Sequence, residues 1–165
     1  IRKLLLDNNN IISPESETLL FLAARSNLVN EIIEPAIKKN DIILCDRYFD
    51  STIAYQCYGK GMNLNMVTSI NKFVIKNIFP QLTIIFDISP NIVQKRLNKN
   101  ELDRMEILGL EFQNKVREGY MEISKTNDRY HIIRCKNKTI NQIHLEVIKL
   151  YNSYIKDKKL WKKYF

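Results

Sequence analysis

Asp46 and Arg47 close the apolar run Asp41-Ile42-Ile43-Leu44-Cys45, and Tyr48-Phe49-Asp50-Ser51-Thr52-Ile53-Ala54-Tyr55-Gln56 follows. The carboxylate is a hard anionic oxygen suited to Mg²⁺ or its waters, and the guanidinium is a planar fork that holds two oxygens of a phosphate. An ordinary surface ion pair would use the same two residues. Phe21 and Arg25 stand four apart, so on a helix they share a face. An aromatic plate beside a guanidinium can stack a planar base and donate to its carbonyl. Taken without context, a core phenylalanine beside a surface charge is the simpler reading. A third group, Lys95-Arg96-Leu97-Asn98-Lys99-Asn100-Glu101-Leu102-Asp103-Arg104, collects cations around a predicted helix end. It suits a lid that closes on phosphates, and as a bare charge run it suits a solvated face.

Other residue types offer less. His131 and His144 have no second ligand at metal spacing. Asp87-Ile88-Ser89-Pro90 reads as a turn and a helix cap, and Cys45 as a small hydrophobe on an apolar strand. Cys45, Cys57 and Cys135 form no C-x-x-C pair, so neither a disulfide framework nor a four-cysteine zinc site follows, and a reducing cytoplasm is expected. The net charge is +8, but residues 149–165 hold six lysines against Asp157 alone. That basicity reads as a solvated tail over about 156–165 rather than as a nucleic-acid patch, and no specific nucleic-acid partner is expected. No run of about 18 apolar residues is present, so no membrane-spanning helix is predicted.

The elements that would position these residues follow from periodicity. Ser13-Pro14-Glu15 combines a capping hydroxyl, a proline with a pre-set φ and an acid at the positive dipole end. The helix it starts carries Phe21 and Arg25, and a second helical pattern through Val29, Ile33 and Ile37 contains Pro35 as a kink. Strands are predicted at 41–46, 82–88 and 130–135. Helices are predicted at about 65–77, 90–98, 106–124 and 140–156. Near-continuous β-branched strands alternating with helices give an α/β fold with a parallel sheet. In such sheets ligands bind beyond the carboxyl ends of the strands, where Asp46 and Arg47 lie. With neither repeats nor a linker, residues 1–165 read as a single domain.

Taken in order along the chain, these segments resemble bacterial thymidylate kinase. The resemblance rests on Ile1-Arg2-Lys3-Leu4-Leu5-Leu6-Asp7, Ser13-Pro14-Glu15, Leu19 through Arg25, and Asp46-Arg47-Tyr48 with Ser51 and Ala54-Tyr55-Gln56. It continues in Glu101-Leu102-Asp103-Arg104-Met105-Glu106, Phe112 and Val116-Arg117-Glu118-Gly119-Tyr120. It implies a phosphate-loop nucleoside monophosphate kinase fold, transfer of the γ-phosphate of ATP to dTMP, Mg²⁺ as cofactor and a homodimer. Phe21 would stack on thymine and Arg25 would bond its carbonyl edge. Arg47 would hold the dTMP phosphate, and Asp46 would help organise Mg²⁺ and the transferring group. Ser51 and Thr52 would line the base end, Tyr55 would disfavour a 2′-hydroxyl, and Gln56 would belong to the same dTMP site. Arg96, Lys99 and Arg104, in a lid at about 95–106, would supply cations to the phosphates, with Lys99 and Arg104 counted as catalytic. Another nucleoside monophosphate or deoxynucleoside kinase of the same fold, and a non-catalytic anion- or nucleic-acid-binding domain, are the competing readings.

Two features depart from the family pattern. Lys99-Asn100 stands where an Arg-Gly pair is usual, so a point charge replaces a fork. None of Gly59, Gly61, Gly109 and Gly119 begins a G-x-x-x-x-G-K-[ST] phosphate loop. The family's first strand–loop–helix unit is therefore expected to be absent from the given chain, and the 165-residue polypeptide alone is expected to be inactive.

Overall fold

Ser13 opens the first long helix as its sequence predicts. Its Oγ accepts from the Ser16 N–H at 3.2 Å, Pro14 takes the first helical position, and Glu15 and Glu17 occupy the first turn. This helix, α2 (Pro14–Leu28), follows a short α1 (Arg2–Leu6). It runs into a π-helical turn at Val29–Ile33 and then into α3 (Glu34–Lys38). The wide turn ends on a bond from the Glu34 N–H to the Val29 carbonyl, one residue before Pro35, which has no N–H to give. The kink predicted at Pro35 thus takes the form of a widened turn.

The computed structural model describes residues 1–7, 10–96 and 104–157. Lys99, the centre of the predicted lid at 97–103 and tail residues 158–165 lie outside the described residues. After α3 come α4 (Phe49–Thr52), a second π-helical turn (Ile53–Gly59) and α5 (Leu64–Val74), the last capped by Asn63. Then follow β1 (Thr83–Asp87), α6 (Pro90–Arg96), α7 (Gly109–Ser124), β2 (Tyr130–Arg134) and α8 (Ile140–Asp157). α5 stops before the predicted 77 because Lys76 and Asn77 take left-handed backbone, and α7 starts later than the predicted 106, at Gly109 with φ +82°.

β1 and β2 pair in parallel, Thr83 opposite Tyr130 through Asp87 opposite Arg134. A parallel pair needs a long crossover, and α6 and α7 lie within it. The strand predicted at 41–46 does not form: residues 41–45 are irregular, Asp46 lies in a bend, and Leu44 is 92% exposed. Apolar, β-branched sequence permits a strand, but only a neighbour's N–H and C=O groups make one. Among the described residues no strand pairs with this segment.

The core lies between α2, the two π-helical turns, α5 and α7. Val29, Ala54, Val67 and Ile75 are fully buried there, with Phe112 and Val116 of α7 against them. Two glycines set how closely α7 approaches the second π-helical turn. A Cβ on Gly119 would stand 2.8 Å from Cβ and Cγ of Tyr58, and one on Gly59 would stand 2.6 Å from a ring carbon of Phe112.

Candidate active site

Three elements and the loop before α4 converge on one set of side chains. α2 presents Glu17, Phe21 and Arg25 at successive steps of four, hence on one face. Phe21 is half-buried and Glu17 has no exposed surface. Loop residues Asp46 and Arg47 lead into α4, which carries Ser51 and Thr52, and the following π-helical turn carries Tyr55 and Gln56. Helices widened in this way are uncommon and concentrate at functional sites.

Arg25 is held from several sides. Its Nη1 donates to Thr52 Oγ1 at 2.6 Å and to Asn71 Oδ1 at 3.2 Å, and its Nη2 donates to the Tyr48 carbonyl at 3.1 Å. The guanidinium also lies 5.9 Å from the centre of the Tyr48 ring. Burial holds the Arg25 pKa below its ordinary value, with nearby Tyr48 and Cys45 opposing that shift. The Tyr48 hydroxyl is pushed up to about 12, again by burial.

Arg47 has φ +63°, a left-handed backbone that costs a non-glycine residue about 1 kcal/mol or more. That turn sets its guanidinium 5.2 Å from the centre of the Tyr55 ring. Tyr55 in turn packs edge-on against Tyr120 and Phe112 of α7, with ring centres 6.5 Å and 6.0 Å away. Ser51 Oγ and Tyr120 Oη share a 2.6 Å hydrogen bond. Asp46 is exposed in the loop before this turn.

The remaining expected site residues lie differently. Thr52 is buried, with its hydroxyl accepting from Arg25. Gln56 is buried with its amide donating to Glu17 Oε1 at 3.0 Å, and Lys60 Nζ donates to the same oxygen at 2.6 Å. Arg104 pairs with the other carboxylate oxygen of Glu17, and its Nη1 donates to the Asn10 carbonyl at 3.3 Å. Glu17 thus gathers two cations and an amide at the foot of α2, which offsets the cost of burying a carboxylate. Arg96 is exposed at the end of α6.

Several contributors escaped sequence reasoning. Asn71, Tyr120 and Glu17 each bond an expected site residue, yet the sequence assigns none of them a role, although Tyr120 closes one of the segments that carry the resemblance. Asp50 is another: its Oδ1 accepts from Arg129 Nη2 at 2.8 Å and from the Tyr130 hydroxyl at 2.6 Å, which ties α4 to the edge of the sheet. Among the described residues no cluster of three or more His, Cys, Asp or Glu side chains could hold a metal ion. The chemistry on offer is an aromatic face beside an anchored guanidinium at one end, and a second guanidinium with an exposed carboxylate at the other.

Comparison with known proteins identifies the family. The family model for thymidylate kinase matches residues 1–147. Thymidylate kinase of Thermosipho africanus is 41% identical over 147 residues, covering 89% of this chain and 73% of the relative. That of Kosmotoga olearia is 37% identical over 150 residues, covering 90% of this chain and 72% of the relative. That of Mesomycoplasma hyopneumoniae is 40% identical over 157 residues, covering 93% and 74%. The crystal structure of thymidylate kinase from Ehrlichia chaffeensis superposes with a TM-score of 0.69 at 33% identity, covering 87% of this chain and 68% of that one.

Proposed function

The chain belongs to the thymidylate kinase family, and on that premise we propose how its residues divide the work of phosphorylating dTMP to dTDP with ATP. The observation that carries the division is the tethered Arg25, one helical turn from Phe21 and held by Thr52 Oγ1 and the Tyr48 carbonyl, while Arg47 lies over the Tyr55 ring. Phe21 stacks on the thymine, and Arg25 donates to a base carbonyl. Arg47 holds the dTMP phosphate with its fork and fixes the in-line angle. Ser51 and Tyr55 line the sugar and base, Tyr55 standing where a 2′-hydroxyl would project, and Thr52 serves the base end through Arg25. Gln56 supports the same wall from its bond to Glu17.

Phosphoryl transfer asks a protein mainly for positioning and charge neutralisation. Mg²⁺ commonly keeps most of its waters and takes one or two carboxylates plus substrate phosphates, so the lone exposed Asp46 fits it without a protein-built cage. Bound there, Mg²⁺ would neutralise charge between the phosphates. Arg96, Lys99 and Arg104 supply the cations of a lid over about 95–106, Arg104 on leaving or sharing Glu17. A homodimer and a cytoplasmic location complete the reading. Exposed Leu19, Ile32 and Ile37 on the helices of 14–39 support the first, and three free cysteines support the second. None of the described helices is long and apolar enough to cross a membrane.

The test is acceptor choice by the full-length enzyme. With ATP and Mg²⁺, dTMP should give the highest kcat/KM among dTMP, dUMP, UMP and AMP, with UMP rejected at the sugar. A preference for AMP or UMP would assign the chain to a different monophosphate kinase.

A further inference from the structure

A guanidinium has five N–H donors in a rigid fork, so fixing some of them aims the rest. In Arg25, both Nη1 hydrogens and one Nη2 hydrogen have protein acceptors, while the Nε hydrogen and the second Nη2 hydrogen have none among the described residues. Two of the three acceptors, Thr52 Oγ1 and the Tyr48 carbonyl, sit on a stretch of five residues. They locate the fork relative to that stretch alone. The third, Asn71 Oδ1, comes from α5 and is 1% exposed.

The Asn71 amide is itself oriented. Its Nδ2 lies 3.5 Å from the Phe49 carbonyl, a long bond, and its Oδ1 faces Arg25. Turning the amide over would set its donors against the guanidinium donors and leave a buried carbonyl facing another, so the network selects this orientation. A buried amide is costly unless it is satisfied, and in Asn71 both polar ends are used. Asn71 therefore bridges the backbone of α4 and the side chain of Arg25 from a separate helix.

We propose that Asn71 is a positioning residue for base recognition: by engaging one Nη1 hydrogen it fixes the plane of the Arg25 fork, so that the two remaining N–H groups point at a carbonyl of the pyrimidine base. Asn71 touches no substrate atom. The inference rests on the reading that Arg25 faces the base of dTMP. Without Asn71, Arg25 keeps its charge and its Thr52 bond but gains freedom to turn about that bond. Affinity for the base then falls, along with discrimination between good and poor acceptors at the carbonyl.

Steady-state kinetics of the full-length enzyme with dTMP and with its 2-thio and 4-thio analogues tests this, because sulfur is the weaker acceptor. The wild type should prefer dTMP to at least one analogue. Asn71→Leu, close in shape but without an acceptor, should raise the dTMP KM about tenfold with kcat within about twofold, and should shrink that preference by about threefold or more. Asn71→Asp, which keeps an acceptor for Arg25, should retain the preference. A role confined to packing would lower the melting temperature and leave the oxygen-to-sulfur preference unmoved, which overturns the proposal. Should Asn71→Leu fail to fold, Asn71→Ala against Asn71→Asp carries the same comparison. A wild type indifferent to sulfur at both positions would instead refute the Arg25 reading itself.

Discussion

Ser51 and Tyr120 stand 69 residues apart in the chain, and their hydroxyls meet at 2.6 Å. The bond joins α4 to α7 directly beside Tyr55 and Arg47. Burial raises the Tyr120 pKa, with Ser51 and Arg47 opposing, so the phenol is neutral at physiological pH. Tyr120→Phe deletes the bond while keeping the ring against Tyr55. A neutral hydrogen bond contributes about 1 kcal/mol, so the dTMP KM of the full-length enzyme should rise about three- to tenfold with little change in kcat. Unchanged KM would remove Ser51 from the acceptor site.

Gly119→Ala probes how α7 seats on the second π-helical turn. The new methyl would fall 2.8 Å from Cβ and Cγ of Tyr58, atoms close to the backbone that cannot swing aside. Overpacking of this kind costs about 1–3 kcal/mol. Urea unfolding should show a lower midpoint with an unchanged slope. Wild-type stability would mean that the helix and the turn have room to part.

Asp87 gives the acid limb of stability. At the end of β1 it accepts from Arg117 Nε at 2.6 Å and from Nη2 at 3.1 Å, and this bonding holds its pKa below the ordinary 3.8. A carboxylate depressed in the folded state stabilises fully above its unfolded pKa, and that share is lost as pH falls through the folded value. With Arg117 partly exposed, the pair contributes no more than about 1 kcal/mol. Asp87→Asn should therefore lower the melting temperature at pH 7, and its deficit relative to wild type should narrow below about pH 4. A deficit that stayed constant down to pH 2 would mean the loss comes from packing rather than from charge.

Much of the scaffold was legible because its signals are local. The Ser13-Pro14 cap, the apolar run that became β1 and the period of α7 each act within one element. The segment 41–46 misled for the opposite reason: its composition favours a strand, but pairing depends on what lies alongside. Arg25 and Arg47 were nominated from spacing and resemblance, whereas their surroundings were not. Thr52 and Gln56, expected to face ligand, spend their polar atoms on Arg25 and Glu17. Asn71, Tyr120 and Glu17 bond site residues 46, 69 and 39 positions away in the chain, and no local pattern announces such pairings. The π-helical turns were equally silent, since they arise from packing and from Pro35 rather than from a residue code.

The division of labour between Arg25 and Arg47 is tested most directly by steady-state kinetics of the full-length enzyme carrying each truncation. Arg47→Ala should lower kcat by about 100-fold or more, because the charged fork and the in-line alignment go together, and Arg47→Lys should recover only part. Arg25→Ala should instead raise the dTMP KM by roughly 10- to 100-fold, the cost of charged hydrogen bonds to the base, with a smaller change in kcat. A dTMP KM unmoved by Arg25→Ala, or wild-type turnover in Arg47→Ala, would contradict the assignment of base to one guanidinium and phosphate to the other.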